Sequence, residues 1–503
     1  MNATATGAHA ASGGAPRDAT RWRVLAVLLI AVFMSLVCVS IVNVALPSIR
    51  GGLHTTLADL QWVLSGYALT FGVVLVPAGR AGDLMGRGGI FVLGVALFTA
   101  ASVAAGFAPS AGWLNVARFV QGFGSGFLAP QAMGMIQHYF RGDDRGRAFG
   151  FLGSTVGVAV AVGPVLGGFL IKLGGLDWGW RLTFLVNVPV GALATVLALC
   201  WFPRPLLHRA QTDAGARVPH PLLSLDPVGS VLVGLAVLAV LFPFVEFHAS
   251  LWIWLLLPAG LGLAAGWVAW ERWYARRGQS PMVDLRIFAT SSFSNGTLIM
   301  ALYFLGMTSV WVLVALYMQD GLGMSALEAS LVGIPAALLA AWSASWAGVR
   351  VAVYGRKVVI GGLVIGIIGL LSSTVVVLAE HAIGTSVWWL LLTLSLVGIA
   401  QGSVISPNQT LTLSEVPLDY AGSSGAIMQT GQRIGTSVGI AVITAAVFAT
   451  LPHNSWAVAV TLGFLSIALV LLVALAVAFK DLRDRGEAPR GHAPVCGAAA
   501  GEE

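Results

Sequence analysis

The sequence predicts an all-α polytopic membrane protein of about fourteen transmembrane helices, built as two six-helix bundles plus an inserted helix pair. The composition is the first reason, because 57% of the residues are hydrophobic and 10% are charged, whereas soluble domains carry about 25% charged residues. The second is that apolar runs of about twenty residues recur along the chain, the length that crosses a bilayer as a helix. These runs are continuous, unlike the short alternating segments of a β-barrel.

Fourteen segments meet the length and hydropathy that a spanning helix requires. Two longer polar breaks, Pro203–Leu223 and Glu271–Ser292, enclose the seventh and eighth segments and separate six spans from six more. The predicted spans lie at 24–46, 60–81, 89–108, 112–136, 147–171, 181–202, 224–246, 251–270, 293–318, 326–348, 357–379, 386–407, 423–450 and 455–479.

The breaks divide the chain into five predicted parts. The first apolar run is too long for a signal-peptide core and lacks a clear cleavage site, so we expect it to remain as the first span. The parts are a cytoplasmic N-terminal tail at 1–23, an N-terminal six-helix bundle at 24–202, a linker with two inserted transmembrane helices at 203–292, a C-terminal six-helix bundle at 293–480 and a disordered cytoplasmic tail at 481–503.

The distribution of basic residues predicts the orientation. With the N-terminus inside, 22 of the 27 lysines and arginines fall on the cytoplasmic side, and only Arg50, Lys172 and Arg181 fall outside. Cytoplasmic loops of membrane proteins are enriched in Lys and Arg, so both termini are predicted to be cytoplasmic. The same dispersed charges form no basic stripe on a soluble module, which excludes nucleic acid as an expected partner.

A short loop after the second span is repeated after the tenth. Both copies, which start at Gly79 and at Gly348, have the pattern Gly-x6-Gly-Arg, as expected for a transporter built from repeated halves. An acid in the first copy can pair with an arginine or cap a helix N-terminus; Ala352 replaces it in the second. The predicted gating residues here are Gly79, Asp83, Gly86 and Arg87. The alternative is a plain interfacial turn that carries topology charges.

Arg118 lies inside the fourth span, and the span expected to face it, 24–46, contains no acid. A guanidinium in hydrocarbon is costly and does not lose its charge, so we expect Arg118 to border a water-accessible chamber between the two halves. Gln121 and Gly122 share its helix face. The alternative is a structural arginine bonded to backbone carbonyls.

Further polar residues are candidates for lining a transport cavity. Gln429 and Arg433 lie in the thirteenth span, and Arg433 is near mid-depth, with snorkelling to the interface as its alternative. Asn43 and Tyr67 are candidates for the outer half of the first two spans.

The fifth span carries a glycine–proline motif. Pro164 removes one backbone donor and is expected to bend the helix, while neighbouring glycines permit close helix contact. The predicted packing residues of this motif are Gly163, Pro164, Gly167 and Gly168.

The sequence offers no catalytic set. It has no Walker A sequence for ATP, no Cys/His cluster with metal spacing and no Ser/His/Asp arrangement on a soluble domain. We therefore expect neither an enzyme nor a bound cofactor or metal.

Taken in order, these motifs resemble the major facilitator superfamily, specifically its fourteen-span drug:proton antiporter branch. The resemblance covers roughly residues 20–480. It rests on Ile41–Pro47, Leu60–Val63, the Gly79–Arg87 loop, Arg118 with Gln121 and Gly122, the fifth-span motif, Trp180–Gly191, Pro281–Leu285 and Val416–Gly422.

The resemblance implies alternating access between two six-helix bundles and export of lipophilic drugs in exchange for protons, across the inner membrane of a bacterial cell. It associates the loop with a cytoplasmic gate and the fifth-span motif with antiport. The expected partners are a small lipophilic substrate, protons and the bilayer, with the proton gradient as energy source. A membrane-fusion or outer-membrane partner is left open.

One departure from the branch changes the chemistry. Cys38 stands where the branch usually has an acid beside the arginine, and Gly88–Gly89 stand where more basic residues usually follow Arg87. Without that carboxylate, Arg118 and Arg433 favour a neutral or anionic substrate over a cation, because a cavity of one charge sign attracts the opposite sign. The alternatives are a uniporter or organic-anion exchanger of the same fold, and a non-transporting membrane sensor.

Overall fold

A computed structural model describes residues 18–207, 226–245, 251–277, 279 and 281–487. The predictions for residues 1–17, for the polar break at 208–225 and for the tail at 488–503 lie outside the described residues. The helices are α1 (Asp18–Leu53), α2 (Leu57–Met85), α3 (Arg87–Gly106), α4 (Ala111–Tyr139), α5 (Gly142–Leu185), α6 (Asn187–Trp201), α7 (Pro227–Val245), α8 (Leu256–Arg276), α9 (Ser291–Leu316), α10 (Ala326–Leu331), α11 (Gly333–Tyr354), α12 (Arg356–Ile383), α13 (Leu390–Thr412), α14 (Ala421–Thr450) and α15 (Trp456–Glu487).

The predicted all-α membrane class is confirmed. Thirteen helical segments among the described residues are long and apolar enough to cross a membrane. The remaining predicted span is α4, which has 29 residues but a lower hydropathy because it carries buried Arg118, Gln121, Gln131 and Gln137. Its polar side chains face other helices, so the dilution of its hydropathy marks an internal helix.

The two halves use the same helix pairings. In the first half α1 packs on α5 and α6, α4 on α2 and α3, and α3 on α6. In the second half α9 packs on α14 and α15, α13 on α11 and α12, and α12 on α15. This correspondence is the structural form of the repeat seen in the two loops.

Two helix pairs make the most extensive contacts between the halves. α5 lies along α11, and α2 lies against α14. The α5–α11 contact requires small residues, because a Cβ on Gly150 would stand 3.1 Å from the carbonyl oxygen of Ala344, and one on Gly157 would stand 3.0 Å from the amide nitrogen of Ala341. Close backbone approach of this kind stabilises helix pairs in lipid.

The inserted helices occupy one side of the molecule. α7 packs against both α2 and α14, where the ring of Phe242 lies 6.1 Å from that of Trp62. α8 packs mainly on α7. Of the residues in its most apolar 18-residue stretch, 6% are buried inside the protein. α7 therefore lies where the two halves meet, and α8 lies outside it.

Both predicted tails are shorter than expected. α1 begins at Asp18 rather than at 24, and Arg21 forms a 2.8 Å ion pair with Asp144. α15 continues to Glu487, so the predicted tail from 481 is wrong over its first turns. The reason is Asp481, which is 0% exposed and pairs with buried Arg356.

The Arg356–Asp481 pair should be a main determinant of stability in the second half. Removing one partner of a buried pair leaves an uncompensated charge and costs about 3–5 kcal/mol. We expect Asp481→Asn to lower the thermal unfolding midpoint clearly in detergent. Asp284→Asn breaks an exposed ion pair and should change stability by about 1 kcal/mol or less. Equal midpoints for the two variants would contradict this assignment.

Candidate functional site

Arg118 is held in the first half by groups that carry no negative charge. It is 1% exposed. Its Nε donates to the carbonyl oxygen of Val63 at 2.7 Å, and its Nη1 donates to Oε1 of Gln121 at 2.9 Å and to Sγ of Cys38 at 3.5 Å. The guanidinium lies 4.4 Å from the ring centre of Tyr67. Backbone, amide, thiol and ring dipoles therefore compensate a charge that the branch usually pairs with an acid.

Three serines fix the side chains around this arginine. Ser102 accepts a 2.7 Å hydrogen bond from Nε2 of Gln121. The hydroxyl of Tyr67 shares hydrogen bonds with Ser35 at 3.1 Å and Ser125 at 2.6 Å. Sequence analysis missed these serines, because a single serine in an apolar span carries no positional signal.

Within the described part of the chain Arg118 does not border an open chamber, because its side chain is 1% exposed. The side chain is packed among α1, α2 and α4, which corresponds to the structural alternative given above. Its Nη2 has no hydrogen-bond partner among the described residues. Arg118 thus contributes a buried positive charge rather than an exposed wall of a cavity.

Arg433 reaches from the second half to the first. Its guanidinium lies 4.4 Å from the ring centre of Phe71 on α2, and the Phe71 ring is stacked on Tyr67 at 6.2 Å and 13°. We call Arg118, Tyr67, Phe71 and Arg433 the arginine–aromatic row. Arg433 is half-buried and points into the contact between halves, so snorkelling to the interface does not describe it. Among the described residues no hydrogen bond or ion pair reaches its guanidinium.

The other predicted cavity residues are placed differently. Asn43 is exposed on α1 whereas Tyr67 is buried under Arg118, so the expected polar pair lining one cavity is not formed in this conformation. Gln429 is 8% exposed and donates to Sδ of Met133 at 3.2 Å, which places it in the contact between the halves.

Asp83 connects the halves at the end of α2. Its Oδ1 accepts hydrogen bonds from Nη2 of Arg87 and the amide nitrogen of Gly422, both at 2.9 Å. Its Oδ2 accepts from the amide nitrogen of Ser423 at 2.9 Å and from the Ser423 hydroxyl at 2.8 Å. Asp83 therefore pairs with an arginine and also caps the N-terminus of α14, where the helix dipole favours an anion.

Further contacts close the same end. Arg87 donates to the carbonyl oxygen of Leu418 at 2.6 Å, and Gln137 donates to that of Leu413 at 2.6 Å. We call the inter-half contacts of Asp83, Arg87 and Gln137 the gate.

Two glycines permit the gate to form. A Cβ on Gly79 would stand 2.7 Å from the carbonyl oxygen of Gly422, closer than real side chains approach. Gly86 joins α2 to α3 with a φ of 108°, in the region that favours glycine.

The second copy of the loop does not form a gate. Because Ala352 replaces the acid, Arg356 turns inward to Asp481 and to Oδ1 of Asn408. Both copies therefore keep a glycine of positive φ before the arginine, but in the second copy the arginine pairs with an acid of its own half.

The fifth-span motif packs on α1. A Cβ on Gly163 would overlap the hydroxyl of Ser40, and one on Gly167 would stand 2.8 Å from Cγ1 of Ile41. Gly168 has open space around it, so the packing role predicted for it is wrong.

The motif does not interrupt its helix. α5 keeps helical backbone angles through Pro164 and departs from them at Gly175, where φ is 65°.

Gly122 on α4 packs closely on α2, as its position on the same helix face as Arg118 predicts. A Cβ on Gly122 would stand 2.6 Å from the carbonyl oxygen of Tyr67.

Sequence analysis missed several buried charged residues. Asp226 and Glu271 are each 1% exposed, and Arg80 is 4% exposed. All three lie near the ends of predicted spans, where charges are ordinarily assigned to the interface. The spacing of Trp267, Glu271 and Tyr274 on one helix face was the available signal.

Comparisons with known proteins agree with the fold. The profile described as Major Facilitator Superfamily matches residues 28–270 and 296–497. The "Probable actinorhodin transporter" of Streptomyces coelicolor is 32% identical over 455 residues, 90% of this chain and 76% of the relative. The "Tetracenomycin C resistance and export protein" of Streptomyces glaucescens is 30% identical over 429 residues, 84% and 75% of the two chains.

A solved structure of similar fold is a proton:xylose symporter bound to 6-bromo-6-deoxy-D-glucose. It superposes with a TM-score of 0.65 at 14% identity and covers 92% of this chain and 96% of its own. At that identity the likeness concerns the fold alone.

The gate should depend on the charge of Asp83. Hydrogen bonds to a charged group contribute about 1.5–3 kcal/mol each, so Asp83→Asn should raise the open-to-closed ratio about tenfold or more. Spin labels on Arg141→Cys and Lys357→Cys would measure the separation of the halves by double electron–electron resonance. The changes Cys200→Ser and Cys496→Ser would be made in the same protein to restrict labelling to the introduced cysteines.

The matched control is Asp59→Asn, which alters the cap of α2 within one half. We expect longer distances for Asp83→Asn and unchanged distances for the control. A parent-like distribution in Asp83→Asn would show that this carboxylate does not hold the halves together.

Proposed function

The chain belongs to the major facilitator superfamily, and from that premise we propose that it is a secondary active exporter. It moves small amphipathic compounds out of a bacterial cell by alternating access, in exchange for protons. The gate is the observation that carries this proposal, because it is a set of breakable hydrogen bonds between the two halves at one end of the molecule. We propose the inner (plasma) membrane as its location, with both termini in the cytoplasm, on the basis of the loop charges.

The position of the contacts supports alternating access. The gate hydrogen bonds lie at the end that the loop charges assign to the cytoplasm. α1 and α9, the first helices of the halves, share no extended packing contact within the described ranges. In the proposed cycle this conformation is closed to the cytoplasm, and breaking the gate lets substrate enter from inside.

The charge of the arginine–aromatic row supports a neutral or anionic amphipathic substrate. Arg433 is half-buried over Phe71, and Arg118 is buried behind Tyr67. No acid pairs with either guanidinium in the part of the chain that the structure describes. A cationic centre with two aromatic rings binds an aromatic anion through both charge and stacking. Relatives named for antibiotics support the antibiotic-like size of such a compound.

Proton coupling requires a proton carrier other than the usual acid of the first span. Cys38 lies 3.5 Å from Arg118 at the position of the usual acid, so the ordinary proton carrier is missing there. This observation favours the second candidate function, a uniporter or organic-anion exchanger of the same fold. Substrate transport that persists after collapse of the pH gradient would select that candidate.

Arg433→Gln tests whether the positive charge of Arg433 determines which substrate charge is transported. In proteoliposomes we expect the parent to transport a carboxylate-bearing aromatic probe faster than the same scaffold bearing an ammonium group. Arg433→Gln should lower carboxylate transport about tenfold, which corresponds to about 1.4 kcal/mol. The control is Arg350→Gln, which removes an exposed arginine that also stacks on a ring, 4.3 Å from Trp346. Faster transport of the ammonium probe by the parent would overturn the charge argument.

Cys38→Asp should remove the net positive charge of the buried site around Arg118. A carboxylate at this position lies within reach of Arg118 and neutralises it, so the preference for the carboxylate probe should shrink severalfold. Cys38→Asn is the matched neutral control and should keep the parent preference. Identical preferences in both variants would mean that Arg118 does not act on the substrate.

A further inference from the structure

Two buried carboxylates meet where the inserted helices begin and end. Asp226 precedes α7 and Glu271 lies on α8, and each is 1% exposed. Asp226 caps α7 through the amide nitrogen of Gly229 at 2.9 Å, and Nε1 of Trp270 donates to both of its oxygens at 3.0 Å. Asp226 is therefore well provided with donors, as an ionised carboxylate requires.

Glu271 has only one satisfied oxygen. Its Oε2 accepts from the amide nitrogen of Met282 at 3.0 Å. Its Oε1 is buried and has no hydrogen-bond partner among the described residues. A charged oxygen without a hydrogen-bond partner in a buried site is costly in free energy. We therefore expect this oxygen to bind a proton or another ligand.

The two carboxylates face one small space. A Cβ on Gly229 would stand 3.0 Å from Oε1 of Glu271 and closer still to Oδ2 of Asp226. No nitrogen of Lys, Arg or His in the described ranges lies within 4.0 Å of either carboxylate. Two carboxylates that share one space in a low dielectric do not both ionise, because their repulsion favours retention of one proton.

Arg80 connects this space to the gate. It lies on α2, is 4% exposed, and has a buried Nε without a hydrogen-bond partner in the described part of the chain. Its guanidinium lies 5.7 Å from the ring centre of Tyr420, which directly precedes α14. The ionisable groups that act on it electrostatically are Asp83, Tyr420, Glu271 and Tyr274. Arg80 is therefore within electrostatic range of both the gate acid Asp83 and Glu271 of the carboxylate pair.

We propose that Asp226 and Glu271 form the site that binds the coupling proton, and that Arg80 transmits its occupancy to the gate. This inference rests on the proposed function, because it supplies the proton carrier that Cys38 lacks. One proton adds to Oε1 of Glu271, which becomes a hydroxyl that donates to Oδ2 of Asp226. The pair then carries one negative charge.

Loss of the proton reverses this state without any other bond change. The pair then carries two negative charges and holds Arg80 in its present position over Tyr420, with the gate closed to the cytoplasm. A proton taken up from outside leaves one negative charge on the pair, so Arg80 is held less strongly and moves toward Asp83. There it competes with the amide nitrogens of Gly422 and Ser423, and the gate opens to the cytoplasm. Release of the proton to the cytoplasm closes the gate again, which couples proton entry to export.

The charged groups around the pair come from each element packed on it. α2 contributes Arg80 and Asp83, α8 contributes Tyr274, and the turn before α14 contributes Tyr420. Arg80 is the single cation of this group within the described residues, so its position responds to the charge of the pair.

Glu271→Gln tests the proposal in proteoliposomes. Proton movement is followed with an internal pH-sensitive dye, and exchange of the labelled carboxylate probe against unlabelled probe is followed without a gradient. We expect gradient-driven transport to fall about tenfold or more, while probe exchange stays within about twofold of the parent. The matched control is Glu328→Gln, which alters the cap of α10 and should leave both readouts unchanged.

Two further measurements keep the outcome decisive. Gly229→Ala places a methyl group in the shared space and should also reduce gradient-driven transport while exchange persists. Infrared difference spectra between high and low pH should show a protonated carboxyl band in the parent that is missing in Glu271→Gln, whether or not the variant transports.

The outcomes separate this inference from the function it rests on. A parent that moves the probe without protons would defeat proton exchange as proposed above, and this site with it. The proton site alone would be overturned by a different result. In that case the parent couples transport to protons, and Glu271→Gln couples equally well and keeps the infrared band.

Discussion

Compensation of arginine charge inside the membrane is the constraint on which this structure depends. A guanidinium keeps its charge at any physiological pH, so each buried arginine needs nearby dipoles or anions. At the centre of the molecule Arg118 and Arg433 lie over Tyr67 and Phe71 and pair with no acid in the described ranges. The rings and neutral acceptors stabilise the arginines without cancelling their field, so the positive charge remains available to a ligand.

At the gate end of the molecule, a carboxylate compensates the arginine charge instead. Asp83 accepts five hydrogen bonds from Arg87, Gly422 and Ser423, and so connects the first half to the first turn of α14 in the second half. A carboxylate at a helix N-terminus is favourable only while that helix stays in place. Relative motion of the halves therefore has an electrostatic consequence at this acid, and any charge that approaches it biases the motion.

The fold was predictable from the sequence because a spanning helix is a local property of about twenty residues. The same holds for Asp83, whose two possible roles follow from its loop and are both seen in the structure. Contacts between distant segments were not predictable in this way. Asp481 was assigned to a tail, although it pairs with a residue 125 positions earlier. Glu271 lay in a polar break, and only the packing of α8 on α7 brings it to Asp226. Arg118 was singled out by its charge within an apolar span, but its burial depends on how three helices pack.

The central claim is that the positive charge of Arg118 and Arg433, which no acid neutralises in the described ranges, selects the ligand. Equilibrium binding to the purified protein tests it most directly, using one aromatic scaffold with either a carboxylate or an ammonium group at the same position. The account predicts that the carboxylate form binds about tenfold tighter or more, a difference of about 1.4 kcal/mol, and that added salt reduces the gap. Equal affinities, or tighter binding of the ammonium form, would contradict it.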